Sequence, residues 1–417
     1  MSKSPEELYQ ERKKRYEDAI ALRVPDRVPV SIQWGFFPAR YAGITCETYM
    51  YDYEKALNAS IKAHEDFAPD VAESPYSTRV IGNALDAVGF KQLKWAGRGL
   101  DANSPYQFVE GEYMPPEEYD HLIEDPTDWI IRNYWPRVCS KLEGFGNLAP
   151  LKNVISYYFG IPFGFAPFGT EEGQQALEAL KNAGKASLKA AAYAGKFGQE
   201  MAKRGFPMRD GGSSQAPFDT LGDFFRGTRG IMMDMYRRPE KLLKALDILT
   251  PWMIQMGVAD GKKTGNPRIF IPLHKGSDSF MSEEQFKTFY WPSLQKLIIG
   301  LVNEGMNPSL FVEANHTSRL EIMRDVPAGK VIYHMENTDM FKAKEILGDR
   351  VCLRGNVPIS MLCLGTPDDV KAYCKKLIDV VGKNGGLIMD SSVGIEDAKI
   401  ENIKAMIDFT KEYGVYR

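Results

Sequence analysis

The chain has 417 residues, 44% of them hydrophobic and 26% charged, with a formal net charge of −3. A chain of this size builds a large core, so neither disulfide nor metal is needed merely to fold it. No basic stripe suggests nucleic acid, and no run approaches the roughly twenty apolar residues of a membrane helix. The charged start MSKSPEELYQERKKRYEDAI lacks a secretory apolar stretch, and Cys46, Cys139, Cys352, Cys363 and Cys374 form no disulfide framework. Reduced thiols and a cytoplasmic location are the expectation.

A first helix within residues 1–25 is marked by Ser4 as cap, Pro5 at its first position and Glu6 and Glu7 at its positive end. VPDRVPV breaks it and opens a strand at 28–33; a helix over 53–67 leads to a second strand near 71–74. Residues 104–170 read as an insertion, with YQFVEGEYM (106–114) as a β-ribbon over a barrel mouth. Within it and just beyond, the aromatic, Gly-rich stretch 153–173 has the character of a mobile lid or partner-facing loop. The stretch 172–203, rich in Ala, Lys and Glu, predicts a long helix. The mixed aromatic and methionine face of 217–239 reads as packing.

Strands are expected at 268–273, 309–314, 330–335, 351–356 and 386–390, with helices beginning near 282, 317, 338, 367 and 397. Successive βα units give a parallel sheet with right-handed crossovers. With strands near 28, 71 and 207 the count reaches about eight, the number that closes a barrel. The expected fold class is therefore α/β: a (β/α)8 TIM barrel, one domain over 1–417, with extra N-terminal helices and a β-ribbon/lid insertion. A doubly wound sheet is the alternative, but no Gly-rich fingerprint follows the first strand.

Three of the five histidines, His274, His316 and His334, fall at or just past predicted strand ends, where barrels carry their chemistry. Glu313 leaves an apolar strand and must be hydrated, hydrogen-bonded or metal-bound. Glu313, His316, His334 and Cys352 form a candidate metal set of a kind that suits zinc, although Cys352 also reads as a buried small hydrophobe. His274 could be a ligand, a general acid or a hydrogen-bond donor to substrate. Asp390 could be a base, a ligand or a helix cap, and Asp210 is a comparable candidate. Asn356 follows Gly355 where a strand emerges, and could bind substrate or a loop carbonyl.

VCLRGNVPISMLCLGTPDDVKAYCKKLID, the preceding DMFKAKEILGDR and the closing KIENIKAMIDFTKEYG resemble the uroporphyrinogen decarboxylase superfamily. The resemblance implies a (β/α)8 barrel with extra N-terminal helices, and either a decarboxylase or a corrinoid-linked methyltransferase. The arginine-rich signature that holds porphyrinogen carboxylates is replaced here by IQWGFFPARYAG, where Arg40 is the one basic residue. The His-X-Cys pair and late Cys of the zinc methyltransferases are replaced by Glu313, Asn315 and His316, and by Asp390, Ser391 and Ser392. Oxygen and nitrogen ligands would keep a zinc ion a harder Lewis acid, suited to an ether oxygen.

The chain is thus most similar to the branch that demethylates methoxylated aromatics. That branch implies a small aromatic methyl ether as donor and the cobalamin of a separate corrinoid protein as acceptor and partner. Trp34, Phe36, Phe37, Tyr158 and Phe159 could form an aromatic pocket, with Trp34, Phe37, Arg40, Asp210 and Asn356 as substrate-binding candidates and Glu313, His274 and Asp390 as catalytic ones. A homodimer is compatible with the sequence. The competing readings are a cofactor-free decarboxylase and a non-catalytic corrinoid or small-molecule binding barrel.

Overall fold

A computed structural model describes residues 3–155 and 157–417, apart from the side chains at positions 154, 155, 157 and 159. Six parallel strands, Gly212–Ser213, Arg268–Leu273, Asn307–Val312, Ile332–Met335, Cys352–Arg354 and Leu387–Ile388, lie side by side in chain order. Two further extended segments close the ring. Residues 28–33 join the last strand, where Val30 bridges Met389 and the Ser31 amide donates to the Met389 carbonyl at 2.9 Å. On the other side the Asp70 amide donates to the Val30 carbonyl at 2.8 Å, and Ala72 bridges Met208, just ahead of Gly212–Ser213. The result is an eight-stranded TIM barrel, as the spacing of the βα units predicts.

Both faces of such strands are covered, so they read as nearly continuous apolar runs. Ile269, Ile271, Leu273, Leu310 and Val312 are fully buried. The helices begin where the sequence places their signals. Ser4 and Glu7 make a capping box ahead of Pro5–Ile20, Ser282 and Gln285 another, and Thr366 and Asp369 a third. Asp52 caps Tyr53–Phe67, and Thr170 caps the 33-residue helix Glu171–Lys203. Tyr16 and Ile20 of the first helix pack on Ile332 and Cys352, the first residues of their strands, so that helix closes the N-terminal end of the barrel.

The insertion differs in part from expectation. Its strand is only Tyr106–Phe108, paired antiparallel with Leu93–Ala96, which also pairs with Gly99–Leu100. From there the chain is tied down by the Tyr113 and Met114 amides, which both donate to the Phe225 carbonyl at 2.8 Å. The stretch read as a loop forms short helices instead, Tyr157–Gly164 and Ala166–Gly169, with Tyr158, Phe163 and Phe165 exposed. Among the described residues no helix is long and apolar enough to cross a membrane.

Candidate active site at the barrel mouth

Register decides which residues meet. Leu273 stands opposite Val312, so the next residues, His274 and Glu313, leave their strands side by side. His274 Nε2 lies 3.6 Å from Glu313 Oε1, and both side chains are about one-third exposed, at 33% and 37%. Val312 in turn stands opposite Met335, which makes Glu336 the third residue of the rim. Ala314, at φ 58°, takes the left-handed conformation that costs an L-residue about 1 kcal/mol or more. That turn lets the Ala314 amide donate to the Glu336 carboxylate.

The other ring nitrogen of His274, Nδ1, is bonded to Asp223 Oδ2 at 2.6 Å. Asp223 Oδ1 also faces Lys275 Nζ at 3.1 Å, and that ammonium donates to Thr228 Oγ1 at 2.8 Å. Four residues earlier, on the same face of the Pro217–Phe225 helical segment, Asp219 fixes the strand end. It accepts from the His274 amide at 2.9 Å, the Lys275 amide at 3.0 Å and the Tyr290 hydroxyl at 2.8 Å. An imidazole held at its backbone and at Nδ1 has one free edge, the one next to Glu313.

These contacts set the protonation states. Burial works against charge on His274, but the Asp223 hydrogen bond and the carboxylates of Asp219, Glu313 and Asp223 outweigh it and push the imidazole up to about 9. Burial pushes the Glu313 carboxyl up to about 7 against the pull of His274, with Glu336, Asp219 and Asp223 adding to the rise. Near neutral pH the rim therefore carries an imidazolium N–H beside a carboxyl that is about half protonated. Two proton donors face one space, and the arrangement can protonate a departing oxygen or polarise it beforehand.

Several expected residues lie elsewhere. His334 stands opposite Phe311, two residues below the rim; it is buried, its Nε2 meets the Ser391 carbonyl at 2.8 Å, and burial pushes it down to about 3. His316 is buried under the loop against Phe286, with burial pushing it down to about 4. Cys352 lies at the opposite end of the barrel, its thiol raised by burial. Glu313, His316, His334 and Cys352 thus do not converge. Among the described residues no group of three or more His, Cys, Asp or Glu is arranged to hold a metal ion. The expected zinc ligand set does not fit.

Asp390 is fully buried, receives Arg354 Nε at 2.7 Å and the Gln33 amide at 3.2 Å, and braces the barrel interior. Asp210 receives Arg209 Nε at 2.7 Å. Asn356 ties loops together, donating to the Glu336 and Thr338 carbonyls at 3.0 and 3.2 Å while accepting from the Tyr373 hydroxyl at 2.9 Å. Trp34 and Phe37 are core residues: the Trp34 indole donates to His64 Nε2 at 2.9 Å and its ring stacks on Phe37. Arg40 pairs with Asp397 at 3.1 Å on the surface. Phe36 is buried against Tyr49 and Tyr106, and the Phe159 side chain lies outside the described residues.

The profile of the uroporphyrinogen decarboxylase family matches residues 170–413, more than half of the chain.

 The six strands from Gly212–Ser213 to Leu387–Ile388 lie inside the match, and the segments at 28–33 and 70–73 precede it. The chain belongs to the uroporphyrinogen decarboxylase family. Asp219, Asp223, His274, Glu313 and Glu336 all fall within the matched residues.

Among curated relatives, the uroporphyrinogen decarboxylase of Chlorobium phaeovibrioides is 29% identical over 140 residues, 32% of this chain and 39% of that protein. The one from Chlorobium phaeobacteroides is 34% identical over 190 residues, 43% of this chain and 52% of that protein. The chain therefore spans no more than about half the length of these relatives. A methyltransferase from Methanosarcina mazei shares the fold along almost the whole length, with a TM-score of 0.62 and 19% identity over 96% of this chain and 98% of that one.

Asp219, Asp223, Lys275 and Glu336 were not singled out from the sequence. The four-residue spacing of the two aspartates in PFDTLGD is the one signal that pointed to a shared face.

Proposed function

We propose that this chain is a methyltransferase that moves the methyl group of a methoxylated aromatic to the cob(I)alamin of a separate corrinoid protein. The observation that carries the reading is the His274–Glu313 pair, two proton donors at the mouth of a barrel whose shape a methyltransferase shares. A phenol methyl ether resists cleavage because phenolate is a modest leaving group. As the acceptor takes the methyl carbon, the carbon–oxygen bond breaks, its electron pair goes to the ether oxygen, and that oxygen takes a proton from Glu313 or from His274 Nε2. General acid catalysis of this kind contributes about 10²–10⁴-fold. Asp223 and Asp219 hold the imidazole in place and charged.

The corrinoid arrives on a partner in this reading, because the sequence lacks the Asp-X-His-X-X-Gly motif with which corrinoid proteins hold cobalt. Decarboxylation of a porphyrinogen fits less well. A substrate with many carboxylates needs matching cations, and the one basic residue of the segment after the first strand, Arg40, is committed to Asp397. The test is release of the phenol from a methoxybenzoate in the presence of a reduced corrinoid protein. Release should need both proteins and fall steeply in Glu313→Gln; saturating demethylation by this chain alone overturns the reading.

A further inference from the structure

Helix Gly227–Arg237 carries apolar residues on both sides. Gly230, Ile231, Asp234 and Met235 are buried against the barrel, with Asp234 tied to Arg226. The opposite side presents Arg229, Met232, Met233, Tyr236 and Arg237, spaced so that they share one helix face, and all five are exposed. Met232 and Met233 are 40% and 36% exposed, and Tyr236 75%. The stretch whose methionines read as packing therefore packs with one side only. An outward face with an apolar centre is the mark of a surface that something covers, and methionines adapt to the shape of what covers them.

Both ends of this helix are pinned at the mouth. Thr228 Oγ1 accepts from Lys275 Nζ at 2.8 Å, and Lys275 adjoins His274. The Tyr236 hydroxyl accepts from Gln285 Nε2 at 3.0 Å, while Gln285 Oε1 accepts from the Ser282 amide at 2.9 Å in a capping box. That box opens the helix after the Arg268–Leu273 strand, on the face where strands end. Tyr236 is thus exposed and yet held, so covering it orders little that is free. The charges on the face are also unmatched. Among the described residues Arg229, Arg237 and the last residue, Arg417, are the only arginines whose side chains make no hydrogen bond, ion pair or ring contact. Surface arginines elsewhere are matched, Arg98 with Asp86 and Arg324 with Asp349.

Those charges choose the occupant. A second copy would meet this face across a two-fold axis, and either direction of helix packing then sets arginine against arginine. A partner with carboxylates around an apolar patch is complementary instead. We propose that the outer face of Gly227–Arg237 is the docking surface for the protein that carries the corrinoid, and that this protein presents such an acidic-rimmed patch. Methionines and the tyrosine form the centre of the contact, and Arg229 and Arg237 pair with carboxylates at its two ends. Docked there, the carrier stands at the rim beside the His274–Glu313 pair, where its cobalt is needed. The identity of the carrier rests on the methyltransferase reading; the acidic character of whatever docks does not.

The experiment is calorimetric titration of the chain with a cobalamin-loaded corrinoid protein, on wild type, on the double charge reversal Arg229→Glu with Arg237→Glu, and on Tyr236→Ser. The charge reversal should weaken binding about 10- to 100-fold at low salt, and Tyr236→Ser about tenfold or more. Raising the salt from about 0.05 to about 0.5 M should weaken wild-type binding and leave that of the charge reversal nearly unchanged. Neither arginine side chain touches the rest of the protein, so both variants of it fold. Undiminished affinity in the charge reversal, or no binding by wild type, overturns the proposal. So does a wild-type dimer in sedimentation that Tyr236→Ser dissociates, which would make the face a contact between copies. Binding that the charge reversal weakens, without any methyl transfer, refutes the functional reading alone. Methyl transfer with the same KM for the corrinoid protein in wild type and charge reversal refutes this one alone.

Discussion

Glutamine at position 313 keeps the shape of the strand end and takes away its titrating proton. The Glu313 carboxyl is pushed up by burial from an ordinary value of 4.5 to about 7. If its protonated form is the donor, wild-type activity at low substrate falls about tenfold per pH unit above 7, while Glu313→Gln is about 10²–10⁴-fold slower and lacks that limb. Stability gives a second readout with a definite sign. A carboxyl whose folded value is raised binds its proton more tightly when native, so its favourable contribution is full below pH 4.5 and is lost as pH rises to 7. At face value the shift corresponds to about 3 kcal/mol; solvent screening at a side chain more than one-third exposed reduces this to about 1 kcal/mol. Urea unfolding should therefore find Glu313→Gln about 1 kcal/mol more stable than wild type at pH 8 and no different at pH 4. A variant that keeps the wild-type rate and alkaline limb, or that is less stable at pH 8, refutes the reasoning.

Other substitutions separate the rim from its supports. Asp223→Asn should lower the His274 titration from about 9 by at least a unit, read by NMR of the imidazole, since the Asp223 bond is the largest of the effects that raise it; an unmoved titration contradicts the assignment. Asp219→Ala orphans two amides and the Tyr290 hydroxyl and should cost about 3 kcal/mol in denaturant unfolding. Asp390→Ala strands the buried charge of Arg354 and should cost about 3–5 kcal/mol; loss of activity at unchanged stability would restore Asp390 to the chemistry. Cys352→Ala should cost only about 1 kcal/mol and leave metal content, by elemental analysis, as it is in wild type.

The fold was legible because each barrel strand is an apolar run followed by a capped helix, and both signals are local. Ser282 and Thr366 cap helices in the structure where the sequence places helix starts, near 282 and 367. The site was legible only where it follows from a strand end. Glu313 and His274 leave adjacent strands at the same height. His334 looked equivalent, but its strand runs on through Met335, so Glu336 reaches the rim and the imidazole stays inside. His316 lies beyond its strand and is folded back under the loop, a matter of tertiary packing that no periodicity records. Asp219 and Asp223 come from a helix read as packing. Arg40 is the only cation in its segment, but it pairs with Asp397 at the surface.

The central claim is that the rim transfers a methyl group from an aromatic ether. Its most direct test is to mix the chain with 4-methoxybenzoate and a corrinoid protein reduced to cob(I)alamin, and follow corrinoid absorbance together with the aromatic product. The account predicts loss of the cob(I)alamin spectrum with one 4-hydroxybenzoate formed per corrinoid consumed, and little of either in Glu313→Gln. Carbon dioxide released from a carboxylated substrate, with the cob(I)alamin spectrum unchanged, would contradict it.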